Sequence, residues 1–208
     1  MTHRYDRTKR AFDLTIAGLL FVLTLPIQAA TALAIRIRLG NPVLFRQTRP
    51  GLHGELFEIV KFRTMLNVDP ELTRVDDTSR MTPLGQWLRA TSIDELPTLW
   101  NIVRGDMSLV GPRPLLVKYL KRYSPEQARR HEVRPGLTGL AQVSGRNALS
   151  WADKFRLDVH YVDHHTFMGD LKIIRSTVGS VVRRDGISAA GEATMSEFLG
   201  TDNQMESA

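Results

Sequence analysis

The segment "LTIAGLLFVLTLPIQAATALAI", residues 14–35, contains no charged residue, and its character decides how the rest of the chain is arranged. A straight helix needs about 20 apolar residues to span a bilayer, so the segment is long enough to do so. Pro26 lies near its midpoint, where a proline removes a backbone hydrogen bond and bends a helix. The segment therefore predicts an apolar helix with a kink at Pro26.

Three interpretations of this helix differ in how they explain its basic flanks. A secretory signal peptide would use residues 30–32 as its cleavage site, but the apolar run continues beyond them, and Asp6 and Asp13 interrupt the basic start. A spanning helix would leave basic residues on both sides of a bilayer, although positive charge marks the cytoplasmic side. A helix that enters one leaflet, kinks at Pro26 and returns keeps both flanks on the cytoplasmic face. We therefore favour a re-entrant membrane helix.

The remaining chain predicts a small α+β domain in which helix outweighs strand. β-prone runs at 43–48 and 56–64 flank a Pro50-Gly51 turn and predict a hairpin. Outside the hairpin we expect a surface loop with a short helix at 67–80, a loop at 108–116, and irregular chain or short strand at 134–147. Helices are expected at 84–90, at 95–103 with a stop at Gly105, and from Asp170 to Arg184. Two further helices are expected to begin after the N-cap residues Ser124 and Ser150. The side chains expected to face the core from the last two helices are Trp151, Phe155, Val159 and Val162, then Ile174, Val178, Val181 and Val182.

These elements divide the chain into three parts. We expect residues 1–40 to form the basic N-terminus and the membrane helix, and residues 41–186 to form the cytosolic α+β domain. Residues 187–208 form a small polar tail that we expect to end in disorder.

The composition restricts the classes of protein to which the chain can belong. Its 208 residues can bury one core with a small accessory piece, and the absence of cysteine excludes a disulfide scaffold, a thiolate metal site and a cysteine nucleophile. The net charge of +6, from 28 Lys and Arg against 22 Asp and Glu, favours anionic partners such as phosphorylated substrates or an anionic membrane. No basic helix is interleaved with aromatic residues, so we expect no nucleic acid as a partner.

The stretch "SIDELPTLWN", residues 92–101, places Asp94 and Glu95 side by side before Pro97. Helix capping is one explanation, because Ser92 with Glu95 fits a capping box and proline is tolerated in a first turn. Catalysis is the other. Neighbouring positions on a helix point about 100° apart, so one carboxylate can face a substrate phosphorus while the other holds a divalent ion such as Mg²⁺. A helix N-terminus would keep Asp94 ionised and therefore nucleophilic.

Several arginines outside the expected core, three of them next to glycine or proline, are a second indication of chemistry. They are Arg63 in "KFRTM", which also contains Lys61, Arg89 in "LRATSIDE", Arg113 in "GPRP", Arg134 in "RPGLTG" and Arg146 in "SGRN". Singly, each is explained as a solvated or ion-paired side chain, but together such arginines suit bidentate phosphate recognition. Pro112 and Pro114 fix the chain on both sides of Arg113 and lower the cost of ordering it. The group predicts a diphosphate substrate.

The residues that carry these predictions resemble the bacterial sugar transferase family, the monotopic phosphoglycosyl transferases. The matching stretches, in order, are "KRAFDLTIAGLL", "NPVLFRQTRPG", "FEIVKFRTM", "TPLGQWLRATSIDELPTLWNIVRGDMSLVGPRPLL", "RPGLTGLAQVSGRN" and "DLKII". The likeness as a whole runs from about residue 9 to residue 184, and the stretch 91–114 is highly specific. The short chain and the tail "DGISAAGEATMSEF" resemble the small single-domain members, such as those that transfer phospho-diacetylbacillosamine.

The resemblance implies roles for individual residues. The family's Asp-Glu dyad falls on Asp94, as the covalent nucleophile, and on Glu95, as the Mg²⁺ ligand. Its essential arginine falls on Arg89, and its Pro-Arg-Pro motif falls on residues 112–114. Its re-entrant membrane helix falls on residues 14–35. Small members often break that helix at Ser-Pro, whereas this chain has a leucine before the proline.

The resemblance also implies where the protein acts and on what. It implies a monotopic enzyme of the bacterial inner membrane, with its catalytic domain in the cytoplasm. With Mg²⁺ as cofactor, this enzyme would transfer a sugar 1-phosphate from a UDP-sugar to undecaprenyl phosphate and release UMP. Expected partners are the UDP-sugar, undecaprenyl phosphate and the lipid bilayer, and both a monomer and a homodimer stay open. The alternative is a non-enzymatic, membrane-anchored basic protein that binds anionic lipid or nucleic acid, and such a protein has no need of Asp94 and Glu95 beyond capping.

Overall fold

The computed structural model of the protein describes residues 4–68, 77–145, 149–183 and 197–200. Within these ranges the fold is α+β and mostly helical, as predicted, with two two-stranded sheets. The helices are α1 (Arg4–Leu23), α2 (Leu25–Arg38), α3 (Asp77–Arg80), α4 (Pro83–Ala90), α5 (Thr98–Arg104), α6 (Pro125–Ala128), α7 (Leu140–Ser144), α8 (Trp151–His164) and α9 (Phe167–Arg183). The strands are β1 (Leu44–Pro50), β2 (Leu56–Phe62), β3 (Ser108–Val110) and β4 (Gly136–Thr138).

The predicted hairpin is confirmed. Strand β1 pairs antiparallel with β2, with Leu44 opposite Phe62 and Pro50 opposite Leu56. Of the surface loop expected at 67–80, residues 69–76 lie outside the described ranges, and α3 is the short helix at its end. The predicted stop of α5 is also confirmed, because Gly105 follows it at a φ of 103°, a conformation that glycine adopts without strain.

Helix α5 is attached to β2 through two fully buried polar side chains. The hydroxyl of Thr98 donates to the carbonyl of Val60 at 2.8 Å. The side-chain amide of Asn101 accepts from the N–H of Val60 at 3.1 Å and donates to the carbonyl of Glu58 at 2.7 Å. These bonds satisfy backbone groups of β2 that would otherwise be buried without partners. They also fix the chain that immediately precedes α5, where Asp94 and Glu95 lie.

Helix α1 is part of the main core. Ala17 is fully buried in a cluster with residues of β2, α5, β3, α8 and α9. Two ionic contacts reinforce this packing: Nζ of Lys9 lies 2.6 Å from Oδ2 of Asp170, and the buried carboxylate of Asp13 accepts from the hydroxyl of Ser108 at 2.7 Å. The N-terminal helix and the domain predicted to begin at residue 41 therefore share one core.

A small parallel sheet joins the stretch 108–116, which we expected to be a loop, to the stretch 134–147, for which irregular chain and short strand were both open and where β4 is a short strand. The first residues of the stretch 108–116, predicted as a loop, form β3, which pairs with β4. Three-residue strands are too short to show the alternation by which strands are recognised in a sequence. The two chains also approach closely, since a Cβ atom added to Gly136 would lie 2.1 Å from the backbone nitrogen of Gly111.

The predicted break in the apolar segment is confirmed, and it falls at Thr24, immediately before α2. Helices α1 and α2 meet at an angle of 57°, and Pro26 occupies the first turn of α2, where its missing N–H needs no partner. The hydroxyl of Thr24 donates to the carbonyl of Leu20 at 2.7 Å, and the buried amide of Gln28 donates to that hydroxyl at 3.0 Å. Thr24 and Gln28 thus provide side-chain bonds at a break that lacks a serine before its proline.

The surface of this helix pair is strongly apolar. Its exposed large side chains, between 39% and 70% accessible, are Leu14, Leu19, Leu20, Val22, Leu23, Leu25, Ile27, Leu33 and Ile37. Among the described residues no single helix has the length and apolarity to cross a membrane, whereas α1 and α2 satisfy both criteria together as a bent pair. An exposed apolar patch of this kind marks an interaction surface.

The C-terminal third confirms some predictions and corrects others. Ser124 forms the predicted capping box, Ser150 caps α8, and the predicted apolar face of α8 is buried. Helix α9, however, begins at Phe167 and not at Asp170, whose carboxylate is buried and accepts from the hydroxyl of Tyr161. Val178 was expected to be buried and is 58% exposed.

The tail also differs from the prediction in one short stretch. Residues 187–196 and 201–208 lie outside the described ranges, but residues 197–200 are described, and Phe198 is only 1% exposed. Its ring packs in a group that we call the aromatic cluster, formed by Tyr119, Tyr123, Trp151, Phe155 and Phe198. Glu197 forms ion pairs with Lys118 and Arg122 at the rim of this cluster. Disorder was therefore the wrong expectation for residues 197–200.

Candidate active site

The two adjacent carboxylates lie in a tight turn between α4 and α5. Ile93–Glu95 forms one turn of 3-10 helix, and α5 begins only at Thr98, with Pro97 as its N-cap residue. Ser92 adopts a left-handed backbone conformation, with φ of 56° and ψ of 16°, and its side chain makes no capping hydrogen bond. The predicted capping box is therefore wrong. Left-handed backbone at a residue other than glycine is strained, and such residues occur preferentially at functional sites.

Glu95 is held by two cations that come from separate parts of the fold. Its Oε1 accepts a hydrogen bond from Nζ of Lys61 on β2 and lies 3.6 Å from Nη2 of Arg113. Burial would raise the pKa of Glu95, but Lys61 and Arg113 together outweigh burial and hold that pKa well below its ordinary value. Glu95 is therefore ionised at neutral pH.

Asp94 has the opposite electrostatic environment. Burial is the largest influence on its pKa and the negative charge of Glu95 is the next, and both raise it above the ordinary value against the opposing effect of nearby cations. Within the described part of the chain, the Asp94 carboxylate has no hydrogen bond or ion pair. The expectation that a helix N-terminus keeps Asp94 ionised was wrong, because only a single turn of 3-10 helix begins there and the pKa of Asp94 is raised. A carboxylate removed from water in this way is more reactive once it has lost its proton.

Arg89 is brought to the site by a close contact between α4 and the chain after β2. Its Nε donates to the hydroxyl of Thr64 at 3.1 Å, and its charge is among those that oppose the rise in the pKa of Asp94. A Cβ atom added to Gly85 would lie 1.8 Å from the carbonyl oxygen of Thr64, so only glycine permits this approach. The structure therefore brings Lys61, Arg89 and Arg113 around the two carboxylates.

The other predicted phosphate-binding arginines are placed differently. Arg63 is 6% exposed, and its guanidinium donates to the carbonyls of Leu39 and Gly40 at the end of α2. Nε of Arg134 donates to the carbonyl of Gly105 at 2.9 Å. These bonds give both arginines a structural role, and their role in phosphate binding stays a prediction. Arg146 lies outside the described residues.

The carboxylates fit Mg²⁺ better than they fit a metal held by the protein alone. Within the described ranges, no group of three or more His, Cys, Asp or Glu side chains could hold a metal ion. Mg²⁺ commonly takes only one or two protein carboxylates and completes its shell with water and substrate phosphates. Glu95, which is ionised and partly exposed, is a carboxylate of the kind that Mg²⁺ takes, and its role as the Mg²⁺ ligand stays a prediction.

Sequence reasoning missed the residues that set this geometry. Thr98 and Asn101 are fully buried polar residues in an otherwise apolar helix, and this contrast in "PTLWNI" was the available signal. Their backbone partners on β2 are about forty residues away and could not be read from the pattern.

An ionised glutamate beside a partly buried aspartate with a raised pKa, with three cations around them, indicates an enzyme that transfers phosphorylated groups. The family model described as bacterial sugar transferase matches residues 4–184. This chain belongs to that family, and it is an enzyme, a phosphoglycosyl transferase.

Individual relatives agree with this assignment. A Bacillus subtilis protein described as the uncharacterized sugar transferase EpsL is 50% identical over 194 residues, which cover 93% of this chain and 96% of the relative. The UDP-glucose:undecaprenyl-phosphate glucose-1-phosphate transferase of Caulobacter vibrioides is 45% identical, over 86% of this chain and 72% of the relative. The undecaprenyl-phosphate galactose phosphotransferase of Salmonella typhimurium is 34% identical, over 86% of this chain and 41% of the relative.

Proposed function

We propose that this enzyme transfers a sugar 1-phosphate from a UDP-sugar to undecaprenyl phosphate and releases UMP. The names of the Caulobacter and Salmonella relatives, which specify undecaprenyl phosphate with glucose or galactose, support this substrate class. The reaction would be the first membrane step in the assembly of a glycoprotein, O-antigen, capsule or exopolysaccharide. The observation that carries the mechanism is the contrast between Asp94 and Glu95, which are neighbours in the chain but differ in pKa and in partners.

In the first step, an oxygen of the Asp94 carboxylate attacks the β-phosphorus of the UDP-sugar. The bond from that phosphorus to the oxygen bridging the two phosphates breaks, and UMP leaves with the electron pair. In the second step, an oxygen of undecaprenyl phosphate attacks the same phosphorus, and the Asp94 carboxylate leaves as it was at the start. The raised pKa of Asp94 suits a nucleophile that is desolvated and has no cation bound directly to it in the described part of the chain.

The cations around the turn suit the charge of the leaving UMP. Arg113 has a side chain that is 51% exposed, so it can reach a phosphate without leaving the vicinity of Glu95. Lys61 and Arg89 come from β2 and α4 and add positive charge from the other sides. Mg²⁺, when bound, would neutralise charge on the diphosphate, and Glu95 would hold it.

Release of UMP from a panel of donors tests this reaction. UDP-glucose, UDP-galactose and UDP-diacetylbacillosamine should each be incubated with the enzyme and Mg²⁺, with and without undecaprenyl phosphate. The accepted donor should give a single burst of UMP, about one per enzyme, without acceptor and continuous release with it. Release that requires the acceptor from the first turnover would contradict the covalent route, and no release from any donor would contradict the proposed substrates.

We further propose that α1 and α2 form a re-entrant element of the bacterial inner membrane. The bent pair, its exposed apolar surface and the basic residues on both flanks support this topology. Cysteines placed at Thr8 and Asn41, both exposed and on opposite flanks, should react only with a reagent on the cytoplasmic side. Labelling of the two positions from opposite sides would show a spanning helix instead.

A further inference from the structure

The Pro-Arg-Pro segment is held in place through its carbonyl groups. Pro112 and Pro114 have no N–H to donate, and each carbonyl of the segment accepts a hydrogen bond from a separate part of the fold. The carbonyl of Pro112 accepts from the N–H of Gly136 at 3.0 Å. The carbonyl of Arg113 accepts from Nη2 of Arg130 at 2.7 Å, and that of Pro114 accepts from Nη1 of Arg49 at 3.4 Å. The Arg113 side chain extends from this fixed backbone toward Glu95.

Arg130, the donor to the central carbonyl, is among the most buried charged residues described, at 3% exposure. Its Nε and Nη2 lie 3.0 Å and 2.7 Å from Oδ2 of Asp158, which is also buried. Its guanidinium lies 5.8 Å and 5.7 Å from the ring centres of Tyr123 and Phe155, two members of the aromatic cluster. The orientation of Arg130 is therefore fixed from several sides.

A buried ion pair of this kind is not explained by stability alone. The cost of removing both charges from water often equals the gain from pairing them, so apolar side chains of similar volume would serve a core as well. The guanidinium has a property that such side chains lack: its planar fork can bind the Asp158 carboxylate and a carbonyl of the Pro-Arg-Pro segment at once. Lysine, with one compact ammonium group, cannot reproduce that geometry.

We propose that Arg130, oriented by Asp158, is a positioning residue that fixes the backbone of Arg113 and thereby aims its side chain at the phosphates beside Glu95. The proposal rests on the proposed function, because it assigns Arg113 a part in the transfer. It separates two kinds of arginine in this site. Arg113 touches the substrate, and Arg130 acts only through Arg113.

A double-mutant cycle tests this dependence. The first variant, Arg130→Lys, keeps the positive charge for Asp158 but loses the fork. The second combines Arg130→Met with Asp158→Leu, which removes both charges together and leaves no buried charge unpaired. Each is made in the wild-type and in the Arg113→Ala background. The matched control is the same paired exchange at the neighbouring exposed pair, Arg129 and Asp163, which makes no contact with the segment within the described residues.

The measurement is kcat/KM for UMP release with undecaprenyl phosphate and whichever of UDP-glucose, UDP-galactose or UDP-diacetylbacillosamine the wild type uses. In the wild-type background both Arg130 variants should lose about tenfold or more, because a hydrogen bond to a charged donor is lost. In the Arg113→Ala background they should lose less than about twofold further, since there is no side chain left to aim. Equal losses in the two backgrounds would overturn the proposal, as would failure of both variants to fold, which would assign the pair to stability.

Hydrogen exchange separates failure of this proposal from failure of the proposed function, because it needs no substrate. The Gly136 amide, which donates to Pro112, should exchange faster in Arg130→Lys than in the wild type and be unchanged in the control. Faster exchange in Arg130→Lys, with no UMP release by the wild type from any donor, would refute the proposed function and leave the positioning intact. Faster exchange with unchanged turnover by Arg113→Ala would refute the part assigned to Arg113 in the transfer, and with it the proposal. Unchanged exchange in a folded Arg130 variant would refute the positioning.

Discussion

The active-site turn at Asp94 and Glu95 and the buried ion pair of Arg130 with Asp158 contain the same kinds of charged groups but differ in what those groups do. In the turn, the side chain of Glu95 is 23% exposed and forms ion pairs with both Lys61 and Arg113. Behind the segment, the side chain of Asp158 is 6% exposed and pairs with the buried Arg130. The pKa of Glu95 is lowered because its two cations outweigh burial, whereas burial raises the pKa of Asp158 against the attraction of Arg130 and, more weakly, of Lys154.

This difference shows what solvent access does to an ion pair. A substrate phosphate or Mg²⁺ can enter the partly exposed turn and compete for its charges, which is what a catalytic site requires. The enclosed pair cannot be approached in that way, so its charges can only hold the structure around them. The predictions below test whether the two regions differ as this contrast requires.

The largest expected effect is at Asp94. Asp94→Asn keeps the size of the side chain but removes the attacking oxyanion, so UMP release should fall by about 10⁴-fold or more, as it does when other nucleophiles are removed. Glu95→Gln should also be severe, but a higher Mg²⁺ concentration should restore part of its activity and none of that of Asp94→Asn. The exposed Asp163→Asn serves as the matched carboxylate control and should retain activity. Normal turnover by Asp94→Asn would contradict the mechanism.

The next largest effect is expected for a substitution in the aromatic cluster, and it should change the stability of the fold. Phe198→Ala removes a ring that is 1% exposed, so the free energy of unfolding should fall by about 3–5 kcal/mol. Denaturant unfolding measures this change. The adjacent Leu199→Ala is the control, because Leu199 is 58% exposed and should change stability little. Equal effects of the two substitutions would show that the tail does not dock on the cluster.

A smaller effect is expected when the planar fork of Arg113 is lost. Arg113→Lys keeps the charge, but loss of a bidentate contact should lower kcat/KM by about 10- to 100-fold. The melting temperature should stay unchanged, since the side chain is half exposed. Wild-type turnover by this variant would return Arg113 to the role of a solvated surface residue.

The smallest effect concerns pH. Because burial and Glu95 raise the pKa of Asp94, the ionised nucleophile is fully present only above that raised pKa and is lost as the pH falls through it. The acidic limb of kcat should therefore lie above the value of about 4 that is ordinary for an exposed aspartate. A limb at or below that value, with the enzyme still folded, would show that Asp94 is not desolvated during the reaction.

The sequence predicted those parts of the fold that depend on local patterns. The β1–β2 hairpin, the caps at Ser124 and Ser150 and the apolar face of α8 each follow from alternation, helical spacing or capping residues within a few positions. The break near Pro26 follows in the same way. Asp94, Glu95 and Arg113 could be selected as a group because adjacent carboxylates and a proline-flanked arginine are distinctive in a sequence.

The remaining features depend on contacts between distant residues. Arg63 and Arg113 both appear as arginines in loops, and only the folded chain shows that one donates to the end of α2 and the other approaches Glu95. Nothing in the sequence around Arg130 indicated its role, because that role depends on the carbonyl of Arg113 and the carboxylate of Asp158, which belong to other parts of the fold. Phe198 is a single aromatic residue in a polar tail, and nothing near it indicates that the aromatic cluster receives it.

The mass of the peptide that contains Asp94 tests the central claim most directly. Wild-type enzyme is incubated with its UDP-sugar and Mg²⁺ without undecaprenyl phosphate, quenched, digested and analysed by mass spectrometry. If Asp94 is the nucleophile, this peptide should gain the mass of one sugar phosphate, and the gain should disappear when undecaprenyl phosphate is added. A phosphosugar on a different residue, or UMP release with no adduct on any peptide, would contradict the account.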